Sequence, residues 1–252
     1  MNRLLAPIRR FHRFRSLRRA LKGAPARHIE PELLYLKELL YPGRAFLDVG
    51  ANIGEYAYAA MRYLPQKNIY AFEPQATYVR DLKAFFPRIT VLRCALSDRS
   101  GEARLKIPRI GEVLYRTRGT LEKFQEPGES GAEFEAVPMM TLDEAAQKLG
   151  IGPVGCIKID VEGHELPVLR GAEGVLERDH PALIIEIEQR HHGEPIERIF
   201  QFLAEQGYAG YFLDPASKEL APIADFSVAQ YQQEALFKTE QYVRNFIFIH
   251  HA

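Results

Sequence analysis

Three short stretches place ligand-binding and proton-handling residue types at telling intervals. Asp48-Val49-Gly50-Ala51-Asn52-Ile53-Gly54 sets an acid ahead of two glycines, which let a strand-to-helix turn fold tightly and approach a ligand with no Cβ between them. Glu73 follows 19 residues after Gly54, close to the spacing of about 20 at which an acid on the next strand hydrogen-bonds ribose hydroxyls. Asp160-Val161-Glu162-Gly163-His164 gathers two carboxylates and an imidazole, groups suited to general acid–base work. The glycine turn lacks the G-x-G-x-x-G spacing that serves a pyrophosphate, and Asp48 would repel a phosphate but hold a cationic amine. A nucleoside with a ribose, an amino-acid tail and no phosphate meets these demands, and S-adenosylmethionine is one. A nicotinamide oxidoreductase of the same fold class stays open at this point.

Each of these residues also has a plainer reading. Asp48 can cap the following turn, Gly54 can simply allow helix–sheet packing, and Ser97 can open the Ser97-Asp98 turn. Glu162 can stabilise a helix N-terminus through the dipole, and His164 can be an exposed residue at a helix start. Lys158, two residues before Asp160, shares its strand face and pairs with a carboxylate. Further candidate bases are Glu165, Glu186, Glu188, His191 and His192. Asp160, Glu186 and His191 are oxygen and nitrogen donors of the kind that hold Mg²⁺ or a transition ion, but they show no tight ligand spacing such as H-E-x-x-H. No metal is expected.

The elements that must position these groups alternate. Strands read at 45–50, 68–74, 89–97, 155–160, 182–188, 208–214 and 243–250, with a short extra one at 102–108 and an extended stretch at 134–140. Helices read at 31–41, 54–64, 75–86, 164–176 and 195–206, and one more starts at the cap Thr141 and ends at Gly150. Strand–helix alternation with near-continuous apolar strands means a parallel sheet covered by helices. In such sheets the ligand lies outside the carboxyl ends of the strands, where strand order reverses. Residues 109–133 read as a surface insertion, and 215–240 as mostly irregular or helical.

FLDVGANIGEYA, YAFEP, VLRCALSD, TLDE and IKIDVEGHELPVLRGA, in this order across 44–214, together with NFIFI at 245–249, resemble the FkbM-type family of S-adenosylmethionine-dependent methyltransferases. The resemblance implies an α/β, Rossmann-like class I methyltransferase fold. Its seven-stranded sheet is mostly parallel, with the last strand antiparallel and helices on both faces. It further implies that Asp48, Gly50, Asn52 and Gly54 line the methionine and ribose end of the cofactor and that Glu73 accepts from the ribose. Pro74 would flank the adenosine, Ala95, Leu96 and Ser97 would wall the adenine, and Asp160 would face the methionine amine or the acceptor. Asp160, Glu162 and His164 are then the catalytic candidates. The implied reaction is O-methylation of a hydroxyl-bearing acceptor, whether saccharide, glycolipid or natural product, with 109–133 and 215–240 as candidate acceptor lids. A nucleic-acid methyltransferase and a non-catalytic nucleoside-binding protein are the alternatives.

Composition bounds these readings. The 252 residues are 46% hydrophobic and 26% charged, which excludes a mostly disordered chain and suits one large domain at 28–252. Cys94 and Cys156 sit in apolar runs and read as buried reduced thiols. Residues 1–27 hold nine basic residues and no acid, leaving 24 basic against 33 acidic residues in the remainder. A body of that sign argues against nucleic acid as partner. In the extension, Leu4, Ile8, Phe11, Phe14, Leu17 and Leu21 recur at helical spacing between arginines, and Gly23-Ala24-Pro25 ends the pattern. Such a helix is solvated, docks on the domain, or gives peripheral membrane contact through residues 1–22. No apolar run reaches the roughly 18 residues of a spanning helix, so a cytoplasmic location is expected. Nothing in the residues sets an oligomeric state.

Overall fold

A computed structural model describes residues 6–21, 29–237 and 239–251, with side chains from Arg13 onward. Twelve strands run through these residues. They are β1 (Ala45–Val49), β2 (Ile69–Phe72), β3 (Thr90–Leu92), β4 (Ala95–Leu96), β5 (Gly101–Ile110), β6 (Val113–Leu114), β7 (Glu129–Met140), β8 (Val154–Ile159), β9 (Ala182–Glu186), β10 (Tyr208–Leu213), β11 (Leu220–Pro222) and β12 (Asn245–His250). The α-helices are α1 (Ala6–Ala20), α2 (Leu36–Leu39), α3 (Glu55–Ala60), α4 (Ala76–Phe85), α5 (Leu142–Leu149), α6 (Glu165–Arg170), α7 (Glu173–Asp179), α8 (Glu197–Glu205) and α9 (Val228–Tyr231).

The main sheet has the order β11-β10-β12-β9-β8-β1-β2-β3. Strands β3, β2, β1, β8 and β9 pair in parallel, whereas β12 is antiparallel to both β9 and β10. The expected seven strands and the antiparallel last strand are therefore present, and β11 adds an eighth along the edge of β10. Central strands show why the sequence reads as it does. All five residues of β1 are buried, because alternate side chains feed two cores. Leu47, Ile157, Leu183 and Ile185 pack with α5–α8 on one face. Phe46, Cys156, Ala182 and Ile184 pack with α1–α4 on the other.

Strand order reverses between β1, which continues to β2, and β8, which opens the other half. The turns leaving β1 and β8 therefore lie side by side, and Asp48 is in register with Lys158.

Three segments depart from the sequence reading. Residues 89–97 divide between two sheets, since β4 leaves β3 and pairs with the end of β7. A second sheet, β4-β7-β5-β6, is built on a long β5–β7 hairpin, so both ends of the stretch read as an insertion are strand. Most of β7 is exposed or half-buried, with only Val137 and Met139 buried, which leaves little inside–outside alternation to read. The single helix expected at 164–176 is two, α6 and α7, broken at Gly171. A Cβ on Gly171 would overlap the Ser97 carbonyl, so backbone from β4 occupies the space a helical side chain would fill. Residues 31–41 are a 3-10 turn at Pro31–Leu34 followed by the short α2.

Helix α1 is docked on the domain. Phe14, Leu17 and Ala20 are buried, and Phe14 stacks on Tyr58 of α3 at 4.7 Å and meets Phe86 edge-on at 5.6 Å. Arg15, Arg18 and Arg19 point to solvent. Leu4 and Gly23-Ala24-Pro25 lie outside the described residues, as do the side chains of Ile8 and Phe11. Among the described residues, no helix is long and apolar enough to cross a membrane.

Candidate functional site

The turn after β1 is shaped by its neighbour. Gly50 adopts φ +76°, and a Cβ there would overlap the Asp160 carbonyl oxygen. Glycine lets the turn close against the end of β8. Asn52 is also left-handed, at φ +49°. Its backbone N–H donates to Glu73 Oε2 at 2.8 Å, while the Gln75 N–H donates to Glu73 Oε1 at 2.8 Å. One carboxylate thus ties the β1 turn to the β2 turn. Burial pushes the Glu73 carboxyl up to about 7, against the pull of those two N–H donors.

These turns open on a cleft at the carboxyl edge of the sheet, with about 590 Å³ of empty space when the solvent at its mouth is counted. Gly50, Asn52, Glu73, Pro74, Ala95, Leu96, Asp160, Glu162 and His164 all line it. A second opening, lined by Asp48 with Arg13, Glu30, Glu55 and Lys158, shares Gly50, Asn52 and Asp160 with the first.

Three expected residues lie back from the first cavity. Asp48 accepts the Ala57 N–H at 3.0 Å, so it caps the first turn of α3 while facing the second opening. Burial pushes its carboxyl to about 7. Gly54, at φ +86°, lies under Leu82 and Phe86, each 2.7 Å from where a Cβ would be. Helix packing therefore accounts for it. Ser97 is buried behind His164, with its Oγ 2.9 Å from Nε2.

The acids after β8 differ in environment. Asp160 is held at about 6, raised by burial and lowered by Lys158. Lys158 itself is buried, hydrogen-bonded to Asn245 Oδ1 at 2.9 Å and 5.1 Å from the Tyr56 ring centroid. Glu162 sits at φ +52°, a left-handed conformation that costs a non-glycine residue of order 1–3 kcal/mol. Burial, then Asp160 and Glu188, push its carboxyl well above the ordinary range. His164 is not exposed, because its side chain is only 12% accessible. Nδ1 lies 2.6 Å from Glu122 Oε1, and that hydrogen bond draws the Glu122 carboxyl below its usual range. Glu186 is drawn away toward Arg244.

The 109–133 stretch, a lid candidate in the sequence, supplies the roof through residues the sequence did not single out. Arg116, Thr117, Gly119 and Leu121 line the first cavity from the connection between β6 and β7. Gln75 Nε2 holds that connection through the Arg116 carbonyl at 2.6 Å. These residues carry no motif, since their role is set by the hairpin folding back. The cavity nevertheless suits a nucleoside. Among the described residues, Asn52 Oδ1 and Gln75 Oε1 are buried without a hydrogen-bond partner, acceptors matched to ribose hydroxyls or an adenine amino group, and Glu73 has lone pairs left beyond its two N–H donors.

Comparison with known proteins agrees with this geometry. Residues 48–209 match the family model of the methyltransferase FkbM domain. The chain is 31% identical to the 31-O-demethyl-FK506 methyltransferase FkbM of Streptomyces tacrolimicus, covering 53% of this chain and 61% of that one. It is 28% identical to the hexuronic acid methyltransferase AglP of Haloferax volcanii, covering 63% and 60%. The chain thus spans about three-fifths of these relatives. The crystal structure of methyltransferase FkbM from Methylobacillus flagellatus KT superposes with a TM-score of 0.51 at 15% identity, over 83% of this chain and 44% of that one, a likeness of fold.

Proposed function

We propose that this chain, which belongs to the methyltransferase FkbM domain family, is an S-adenosylmethionine-dependent methyltransferase acting on a hydroxyl oxygen of a saccharide, glycolipid or natural product. The observation that carries the reading is the cavity bounded by Gly50, Glu73 and Asp160 at the point where strand order reverses. The named substrates of two relatives, a demethylated natural product and a hexuronic acid, support the acceptor class.

S-adenosylmethionine supplies a methyl group already activated on a sulfonium, which leaves as a neutral thioether. The chain's own work is binding, alignment and proton removal. Glu73 accepts from the ribose diol, and the Asn52 turn supports it. Pro74, Ala95 and Leu96 enclose the adenosine. Asp160, facing both openings, holds the methionine ammonium. A hydroxyl is a poor nucleophile until its proton is taken, and a positioned base contributes about 10²–10⁴-fold. Glu162 and His164 line the same cavity, and Glu162, held above the ordinary carboxylate range by burial, is a candidate base once ionised. Phe14 and Leu17 are occupied by the domain, so among the described side chains of α1 it is Arg15, Arg18 and Arg19 that are left to meet an anionic membrane.

The test is titration with S-adenosylhomocysteine, followed by incubation with methyl-labelled S-adenosylmethionine and fractionated polysaccharide, glycolipid and small-molecule extracts. Saturable binding with label in an alkali-stable ether supports the reading. Absence of binding overturns it, and label only in nucleic acid or protein overturns the acceptor class.

A further inference from the structure

We propose that Glu126, Glu162 and His191 bind one divalent transition-metal ion behind the wall of the nucleoside cavity. Three segments far apart in sequence bring them together: the connection before β7, the turn after β8 and the 3-10 turn after β9. Each offers a donor atom within 4.8 Å of the others. His191 Nε2 is 3.5 Å from Glu126 Oε1, and its Nδ1 is 3.4 Å from Glu162 Oε2. The side chains of His191 and Glu126 are 3% and 1% exposed.

Glu126 Oε1, Glu162 Oε2 and His191 Nε2 are all buried without a hydrogen-bond partner among the described residues. Glu126 Oε1 faces the Nε2 edge of the ring and Glu162 Oε2 the Nδ1 edge, and three orphaned atoms gathered in one dry site call for a ligand. Donors about 2.0–2.2 Å from one tetrahedral ion stand roughly 3.3–3.6 Å apart, and the 3.5 Å between His191 Nε2 and Glu126 Oε1 matches that spacing. Glu162 Oε2 faces Nδ1, the other ring nitrogen, so its carboxylate must swing along the ring edge to join Glu126 at a single ion. Glu162, the most accessible of the three at 13%, has the room.

The surroundings are built to hold ligands still. The other oxygen of Glu126 accepts from Arg118 Nη1 and Arg190 Nη1, each at 2.8 Å, as outer hydrogen bonds orient metal-bound carboxylates. Phe124 stacks on the His191 ring at 4.6 Å. Thr120 Oγ1 donates to the Glu162 carbonyl at 2.6 Å. Charge argues the same way. Arg118 and Arg190 are matched by Glu126 and Glu188, which leaves Glu162 with Asp160 beside it and no guanidinium of its own. Two carboxylates and an imidazole favour Zn²⁺, Mn²⁺, Fe²⁺ or Co²⁺ over Ca²⁺. Glu162 also lines the nucleoside cavity, so an ion here would fix one carboxylate of that cavity's wall.

The test is titration of the full chain with Co²⁺, free of any cofactor. One ion per chain with visible d–d absorption is expected, weakened at least tenfold in Glu126→Gln and in His191→Gln. Glu122→Gln, which alters the partner of His164 instead, should bind as the parent does. No saturable binding, or binding unchanged in both ligand variants, overturns the site. Should those variants not fold, ring ¹⁵N shifts of His191 in the parent decide it. A shift on adding Zn²⁺ supports the site, and a ring that responds only to pH shows a shared proton and overturns it. Because no cofactor is present, failure here leaves the methyltransferase reading intact, and failed S-adenosylhomocysteine binding leaves the ion site intact.

Discussion

Glu73→Gln separates the ribose acceptor from a merely structural acid. The carboxylate takes two backbone N–H groups at 2.8 Å each and is 3% exposed. Glutamine keeps one oxygen, so one N–H loses its acceptor and the ribose loses an ionised partner. Hydrogen bonds to charged groups contribute about 1.5–3 kcal/mol, so affinity for S-adenosylhomocysteine should fall roughly 10- to 100-fold. The parent carries a second signature. With the Glu73 carboxyl at about 7, the ionised acceptor is mostly absent at pH 6 and mostly present at pH 8, so affinity rises about tenfold between them. Unliganded stability moves the other way. A carboxyl raised from 4.5 to about 7 by folding contributes stability that is complete below pH 4.5 and lost as pH rises through 7. The glutamine variant should show neither trend from this position. Calorimetric titrations at pH 6, 7 and 8, paired with urea unfolding, measure both. Parent-like affinity in the variant, or a parent affinity flat from pH 6 to 8, would refute the reasoning.

Other substitutions probe the frame. Gly50→Ala forces a Cβ into the Asp160 carbonyl at φ +76°, and urea unfolding should show a loss of roughly 3 kcal/mol or more. Asp160→Asn should depress turnover more than tenfold while leaving far-ultraviolet circular dichroism unchanged, and full turnover would remove Asp160 from the site. Phe14→Ala opens the stack on Tyr58, and the cost should approach the ~3–5 kcal/mol of a buried phenylalanine. Hydrogen exchange across residues 6–20 should quicken, and unchanged protection would mean that α1 is held by other contacts.

Much of the site was legible because its chemistry is local. Gly50, Asn52 and Glu73 announce themselves through turn geometry and a strand-helix interval, and Asp160 through its place at the end of a buried strand. What stayed hidden depends on contacts across the chain. Arg13 reaches Glu55, 42 residues away, with Nε to Oε1 at 2.5 Å, and no spacing rule encodes that. Glu126 looks like a loop acid until Arg118 and Arg190 close on it. Gly171 reads as an ordinary helix position, and only the Ser97 backbone pressed against it explains the break. Asp48 and Gly54 show the reverse: their motif is conspicuous, yet their nearest partners are an α3 amide and two apolar side chains.

The sheet change between Leu92 and Ala95 has a mechanical consequence. Ala95 and Leu96 are stitched to Met139 and Met140 at the root of the hairpin, so one wall of the nucleoside chamber belongs to the second sheet and the opposite wall to the first. A guest in that chamber would act as one more rivet between two plates already pinned together by Gln75, Thr120 and Arg190. That seam is a main-chain ladder, so side chains along the outer reach of the arm can be exchanged without disturbing it.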